Sequence, residues 1–487
     1  MLFNSFVFLC AFLPIAVGIY HVLRGAGKPQ TAKVFLVLAS LFFYGWWDWR
    51  YVPLVVVSIA INFLISRWME SRPTQARLAL IFGLVLNLGL LGYYKYANFF
   101  VSTVDAIPGV HASIPRIILP LAISFFTFQQ IAYLVEVYKD RKAADSLTDY
   151  SLFVLFFPHL IAGPITHHKE MLPQFKHMGQ APLPFSYVSM GTTILILGLF
   201  KKSVVADTLA SICNPIFHAA DQGHAISTGA AWLGALAYTF QLYFDFSGYS
   251  DMAIGLGLMF GIRMPVNFAS PYKSTSITEF WRRWHISLSR FLRNYLYIPL
   301  GGNRKGPLRR YANLLITMTL GGLWHGAGWT FLLWGVLHGA YLVCNNIWDM
   351  VRGRRAETKV GRVAGWALTF LAVVVAWVLF RATTLPGALA VLHSMAGAAP
   401  AVVEPLATPP LQWAVVLIAG LATVWLPNVL EMTRYPDSTP GMPIEADGIK
   451  PVSWRVSKWG LAAILGVTAA FVLAKLPDPG VFLYFNF

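Results

Sequence analysis

A chain of 487 residues that is 57% hydrophobic, 15% aromatic and only 12% charged lacks the polar surface of a water-soluble protein, in which about a quarter of residues are charged. A soluble enzyme on a tail anchor is excluded, since at about 20 apolar residues per crossing the apolar content furnishes on the order of ten spans. The formal charge of +16, from 37 Lys and Arg against 21 Asp and Glu, does not imply nucleic acid here, because the basic residues gather between apolar runs as cytoplasmic loops facing anionic lipid do.

The first apolar run, 3–22, has no basic residue before it, and Arg24, Lys28 and Lys33 follow it. It reads as an uncleaved first span with the N-terminus outside the cytoplasm, not as a signal peptide. Further spans are expected at 31–47, 51–67, 77–94 and 116–137, which places the loops of Arg67, Arg72 and Arg77 and of Lys139, Arg141 and Lys142 inside. Segment 150–164 (YSLFVLFFPHLIAGP) is short and broken by Pro158, Gly163 and Pro164, which predicts a piece that dips into the membrane within surrounding protein. Spans resume at 187–207 and 228–246, with a weaker one at 249–262.

From Arg263 to Arg310 ten basic residues face one acid, Glu279, so this stretch belongs on the cytoplasmic side. Within it, 275–300 repeats aromatics, Leu and Arg at helical spacing, as helices at the interface or in a cytoplasmic mouth do. The apolar run 312–348 is too long for one span. Its centre, TLGGLWHGAGWTF, sets Gly321, Gly322, Gly326 and Gly328 around one histidine, which predicts a hairpin or broken helix with its tip deep in the bilayer. The last spans fall at 363–380, 412–428 and 458–474, separated by a small-residue loop at 382–410 and a polar, Pro-rich loop at 435–453. The expected fold is all-α and polytopic, with about eleven transmembrane helices plus re-entrant and interfacial ones. It forms one unit over 1–487, with N-terminal spans over 1–140, a core over 141–350 and C-terminal spans over 351–487. Cys10, Cys213 and Cys344 are too scattered for a disulfide framework or metal site and read as small core residues.

An ionisable group at bilayer depth costs about 2.5 to 3.5 kcal/mol when charged, so it needs a partner, a wet cavity or a function. His325, at the glycine-rich break between Trp324 and Trp329, is the sharpest case. Imidazole titrates near pH 6.5, so a neutral ring there can act as a general base; a hydrogen-bonded core histidine is the competing reading. His285 stands among Trp281, Arg282, Arg283 and Trp284, where guanidinium groups beside aromatic faces suit a phosphate or phosphopantetheine group and the aromatics shield a thioester from water. A plain interfacial belt of Trp and Arg competes with that. His338, between Gly335 and Gly339, reads as packing or support. Gln129, Gln130, Glu136, His159, Gln241, Asp245, Ser247 and Asp251 interrupt other apolar segments, so they line an internal cavity or pair with each other. His167, His168 and Lys169 read as a solvated loop. No Walker A, H-E-x-x-H, G-x-S-x-G or metal-ligand cluster is present, and on these residues alone a transporter, an intramembrane enzyme and a scaffold subunit all remain open.

With FFPHLIAGPI, FQLYFDFSGYSDMAIGLGLMFGI, PVNFASPYKSTSITEFWRRWHISLSRFLRNYLYIPLGGNR, LGGLWHGAGWTFLLWGVLHG and the terminal FLYFNF in view, the chain resembles the membrane-bound O-acyltransferase superfamily. It looks most like the bacterial alginate O-acetyltransferase branch, and the D-alanine-transferring branch fits its later part less well. The resemblance implies helices around a central tunnel, an acyl donor (acetyl-CoA or an acyl carrier thioester) entering from the cytoplasm, and no bound cofactor. It matches the family's catalytic histidine to His325 and the histidine of its WH-x-S motif to His285, and the FDFSGYSDM stretch matches as well. By the same resemblance, His325 acts as general base or transient acetyl carrier, and Trp281, Arg282, Arg283, Trp284, Trp324, Asp245 and Asp251 contribute to substrate binding. It further implies the bacterial inner membrane, O-acetylation of an alginate-like exopolysaccharide, and a periplasmic esterase-like acetyltransferase as partner.

Overall fold

The structure is a computed structural model that describes residues 1–111, 113–180, 183–353, 358–398, 408–433, 435, 458–475 and 483. Among these residues there is no strand; every element is helical. α1 (Leu13–Gly25), entered through a π-helical turn at Val7–Phe12, is followed by α2 (Pro29–Gly45) and α3 (Val52–Ser71). Each has a proline in its first turn, where the missing N–H forfeits no hydrogen bond. α4 (Ala76–Leu91) continues through a π-helical turn, Gly92–Tyr96, into α5 (Ala97–Asp105). α6 (Ile123–Asp140) begins after Pro120 rather than at 116, because proline has no N–H to give to a helix interior. α7 (Leu147–Leu155) ends at Phe156, and α8 (Phe157–Leu160) is a single turn containing Pro158, so the segment is broken where its prolines and glycine fall. α9 (His168–His177) leads to α10 (Phe185–Phe200), a π-helical turn at Lys201–Ala206, and α11 (Asp207–Asp221).

α12 (Thr228–Met259) is the centre of the molecule. The two spans expected at 228–246 and 249–262 are one continuous helix of 32 residues, in which every residue from Tyr238 through Met259 is buried. A helix enclosed on all sides can carry polar residues wherever a neighbour answers them, and Lys201 and Lys202 answer Asp251 at 2.7 Å and Asp245 at 3.3 Å. Two short helices, α13 (Ile277–Arg283) and α14 (Ile286–Leu292), precede the hairpin of α15 (Gly306–His325) and α16 (Trp329–Arg352). The hairpin bends at the glycine-rich centre, as expected. α17 (Lys359–Arg381), α18 (Leu385–Met395), α19 (Pro410–Trp425), α20 (Val429–Thr433) and α21 (Lys458–Lys475) follow among the described residues. α18 lies inside the expected loop 382–410: Thr384 Oγ1 accepts the Gly387 N–H at 3.0 Å and caps it. The loop at 435–453, apart from Tyr435, and the terminal FLYFNF, apart from Leu483, lie outside the described residues.

Among the described residues, five helical stretches are long and apolar enough to cross a membrane: Val7–Gly25, Trp49–Ser71, Pro73–Asp105, Phe185–Asp221 and Lys359–Arg381. Large apolar side chains such as Val22, Leu64, Val85 and Leu368 stand exposed on them, an outer surface suited to lipid. The same surface corrects the reading of the cysteines: Cys213 is buried, but Cys10 and Cys344 are exposed, since an apolar residue in a membrane protein need not face inward. His168 is also corrected. It begins α9 and is buried, its ring 5.4 Å from that of Tyr133, while Lys169 reaches Glu136 at 2.9 Å and Asp140 at 2.7 Å.

Candidate active site

His325 is the last residue of α15 and is 3% exposed. Three glycines let the hairpin close on it. A Cβ on Gly322 would meet the Phe331 carbonyl oxygen at 2.3 Å, one on Gly335 the Met318 carbonyl oxygen at 2.4 Å, and one on Gly326 the Phe331 ring at 2.2 Å. The His325 ring lies 5.0 Å from Trp324, 5.1 Å from Trp334, 5.2 Å from Phe380 and 6.2 Å from His285, centroid to centroid. The two histidines singled out from sequence are therefore neighbours in an aromatic chamber.

His285 is fully buried and holds a left-handed backbone, φ 43°, at the joint between α13 and α14. That conformation costs a non-glycine residue about 1 to 2 kcal/mol. Asn267 holds the joint in place: its backbone carbonyl accepts the Ile286 N–H at 3.0 Å. Its Oδ1 takes Ser287 N–H at 3.2 Å, Ser287 Oγ–H at 2.9 Å and His285 Nδ1 at 3.3 Å. A backbone N–H can only donate, so Oδ1 is the acceptor and Nδ1 carries the proton; in the neutral ring Nε2 is the basic nitrogen. Ser287 Oγ in turn accepts the Ile165 N–H at 3.0 Å, which ties the joint to the broken segment after α8.

The other expected site residues divide. Trp324 contacts both histidines. Trp281 donates from Nε1 to His338 Nδ1 at 3.3 Å, and its ring lies 5.9 Å from Trp334, which makes His338 a support for that wall. Trp284 is buried against Phe268 at 5.0 Å and Trp377 at 4.9 Å. Arg283 is turned to Glu279 at 2.8 Å and to the Ala269 carbonyl at 3.2 Å. Asp245 and Asp251 face Lys202 and Lys201, and Asp245 also accepts the Leu483 N–H at 3.2 Å, whereas Phe246 is the residue of α12 that meets His285, at 4.7 Å. Several of the remaining polar interruptions are answered within the protein: Gln129 by Thr166 at 3.0 Å, Gln130 by Ser58 at 2.9 Å, His159 by the Phe153 carbonyl at 3.1 Å.

Two cavities lie near these residues; the larger is lined by neither histidine, and Trp281 links it to the wall around His325. One of about 330 Å³ is lined by Trp281, Arg282, Arg293, Arg310, Thr317 and Met318 among others. The other, about 20 Å³, is lined by His325, Trp324, Lys95, Ile161 and residues 119–125. Arg293 and Arg310 were not singled out from sequence, although both lie in the basic stretch. Lys95 was missed too; a lysine inside the apolar run LLGYYKYANFF was the available signal.

The family model described as MBOAT, membrane-bound O-acyltransferase family, matches residues 137–385, which contain both histidines. A peptidoglycan O-acetyltransferase of Helicobacter pylori is 45% identical over 425 residues, 82% of this chain and 80% of that protein. A probable alginate O-acetylase of Pseudomonas putida is 42% identical over the whole of both chains. A teichoic acid D-alanyltransferase of Streptococcus thermophilus is 30% identical over 257 residues, 50% of this chain and 60% of that one.

Proposed function

The chain belongs to the membrane-bound O-acyltransferase family and is an O-acyltransferase, and from that premise we propose that it takes an acetyl group from a cytoplasmic thioester and moves it across the inner membrane for O-acetylation of a polysaccharide outside. The relatives at 45% and 42% identity act, by their names, on peptidoglycan and on alginate, and what they share is a glycan hydroxyl; an alginate-like exopolysaccharide is the narrower form. D-alanyl transfer has less support, since that relative matches over 50% of this chain.

The observation that carries the reading is the pair of buried imidazoles 6.2 Å apart at the bend of the hairpin, with an arginine-lined cavity on the far side of the Trp281 and Trp334 rings. The acceptor hydroxyl attacks the thioester carbonyl, and His325 takes its proton as the C–O bond forms. The proton passes to the departing thiolate as the C–S bond breaks. The aromatic rings around His325 keep water from the thioester, and His285 holds its Nε2 lone pair for the same proton traffic. The donor, acetyl-CoA or an acyl carrier protein, enters past Arg282, Arg293 and Arg310, whose side the positive-inside rule assigns to the cytoplasm. Arg24, Lys28 and Lys33 after the first span put the N-terminus on the periplasmic side, and a periplasmic esterase-like acetyltransferase is the partner that receives the group.

The test supplies radiolabelled acetyl-CoA to inside-out membrane vesicles and follows label into O-acyl ester. His325→Ala is expected to lower transfer at least about 100-fold, the scale of a lost general base, with the protein still accumulating in the membrane. Wild-type transfer in that variant removes His325 from the reaction.

A further inference from the structure

The last residues of α15 present a problem that the chain solves from a distance. A helix leaves its final four carbonyls without intrahelical partners, and here they belong to Gly322, Leu323, Trp324 and His325. Gly326 N–H reaches the first, at 3.4 Å. Tyr96 Oη–H donates to the Leu323 carbonyl at 2.9 Å, and the Lys95 ammonium donates to the carbonyls of Trp324 and of His325, the latter at 3.4 Å. The third N–H of the ammonium goes to Ser124 Oγ at 3.1 Å. Lysine has three donors and no acceptor, so its capacity is matched in full.

Lys95 is 7% exposed, and among the described residues no carboxylate pairs with it. The negative end of α15 takes that role, a helix C-terminus being equivalent to about half an electron charge. Its Nζ also sits 5.7 Å from the centre of the Trp324 ring. Lys95 and Tyr96 are consecutive and both belong to the π-helical turn Gly92–Tyr96, a distortion frequently found at functional sites. Both lie ahead of the segment that the family model matches, 137–385.

The geometry points to Lys95 as a positioning residue for the acyl transfer: with Tyr96 it fixes the C-terminal turn of α15 and thereby the place of the His325 imidazole in the chamber. The inference rests on the proposed role of His325. The lysine touches the backbone of that residue, not the reacting atoms, and it acts by holding the imidazole where donor and acceptor meet. Misplacement by about 1 Å costs on the order of 100-fold in rate.

Purified full-length protein in detergent, given radiolabelled acetyl-CoA, provides the test through three variants. Lys95→Met keeps the length of the side chain and removes its charge and donors; kcat per folded molecule is expected to fall about 100-fold, with KM for acetyl-CoA changed by less than about twofold. A kcat at the wild-type level, or a loss that appears only as a raised KM, overturns the positioning role. If Lys95→Met does not accumulate, Tyr96→Phe is read instead: it removes one hydrogen bond, and kcat is expected to drop about three- to tenfold at unchanged KM; an unchanged kcat overturns the role as well. His325→Ala runs in parallel. Should it transfer at the wild-type rate, the catalytic reading itself fails; should it be inactive while Lys95→Met is fully active, only the inference about Lys95 fails.

Discussion

At the scale of single residues, the site depends on one amide. Asn267 Oδ1 accepts three donors, and two of them, Ser287 N–H and His285 Nδ1–H, belong to the joint that holds His285 at positive φ. Backbone strain of this kind persists only where neighbours over-determine it. Asn267→Ala leaves those buried donors unanswered, at about 1 to 3 kcal/mol, and is expected to lower the apparent melting temperature in detergent while slowing acetyl transfer about tenfold. A variant that melts with the wild type shows that the joint is held by something other than Asn267. Nothing near Asn267 in sequence announces this role, because its partners lie 18 and 20 positions away; His285 was legible from its setting among Trp and Arg, its clamp was not.

At the scale of elements, glycine decides how closely helices approach. α10 and α12 touch backbone to backbone at two levels: a Cβ on Gly255 would meet the Gly191 carbonyl oxygen at 2.5 Å, and one on Gly248 the Gly198 carbonyl oxygen at 2.8 Å. Small residues in register allow this contact where lipid supplies no hydrophobic drive between helices. Gly255→Val should cost about 1 to 3 kcal/mol through overpacking, read as early loss of monodisperse protein on heating. Gly89→Ala, in α4 with nothing within 4 Å of the added carbon, should be neutral or slightly stabilising; equal losses in both would refute packing as the cause. The hairpin of α15 and α16 was legible because its signal is local, a cluster of glycines around one histidine in an apolar run. α12 was not, because Asp245, Ser247 and Asp251 look like an interruption until Lys201 and Lys202 come into contact with the two acids. Lys95 escaped for the same reason: its acceptor on Trp324 lies 229 positions away, a pairing that no local period encodes.

At the scale of the whole molecule, basic residues gather around one cavity. The basic stretch Arg263 to Arg310 folds so that Arg282, Arg293 and Arg310 line one cavity of about 330 Å³. Arg310 reaches Asn346 on α16, and Trp281 leads from the cavity wall through Trp334 toward His325, with ring centres 5.9 and 5.1 Å apart in turn. The proposed donor carries phosphate on one end and a thioester on the other, and guanidinium groups suit its anionic end. Arg293→Gln combined with Arg310→Gln is therefore expected to raise KM for acetyl-CoA about tenfold or more and to leave kcat at saturating donor within about twofold. Salt gives an independent check. Raising ionic strength weakens attraction between exposed charges, so KM should climb with salt in the wild type and much less in the double variant. A fall in kcat at unchanged KM would place these arginines in the chemical step or the fold rather than in donor capture, and an unchanged salt response would mean that the phosphates bind elsewhere.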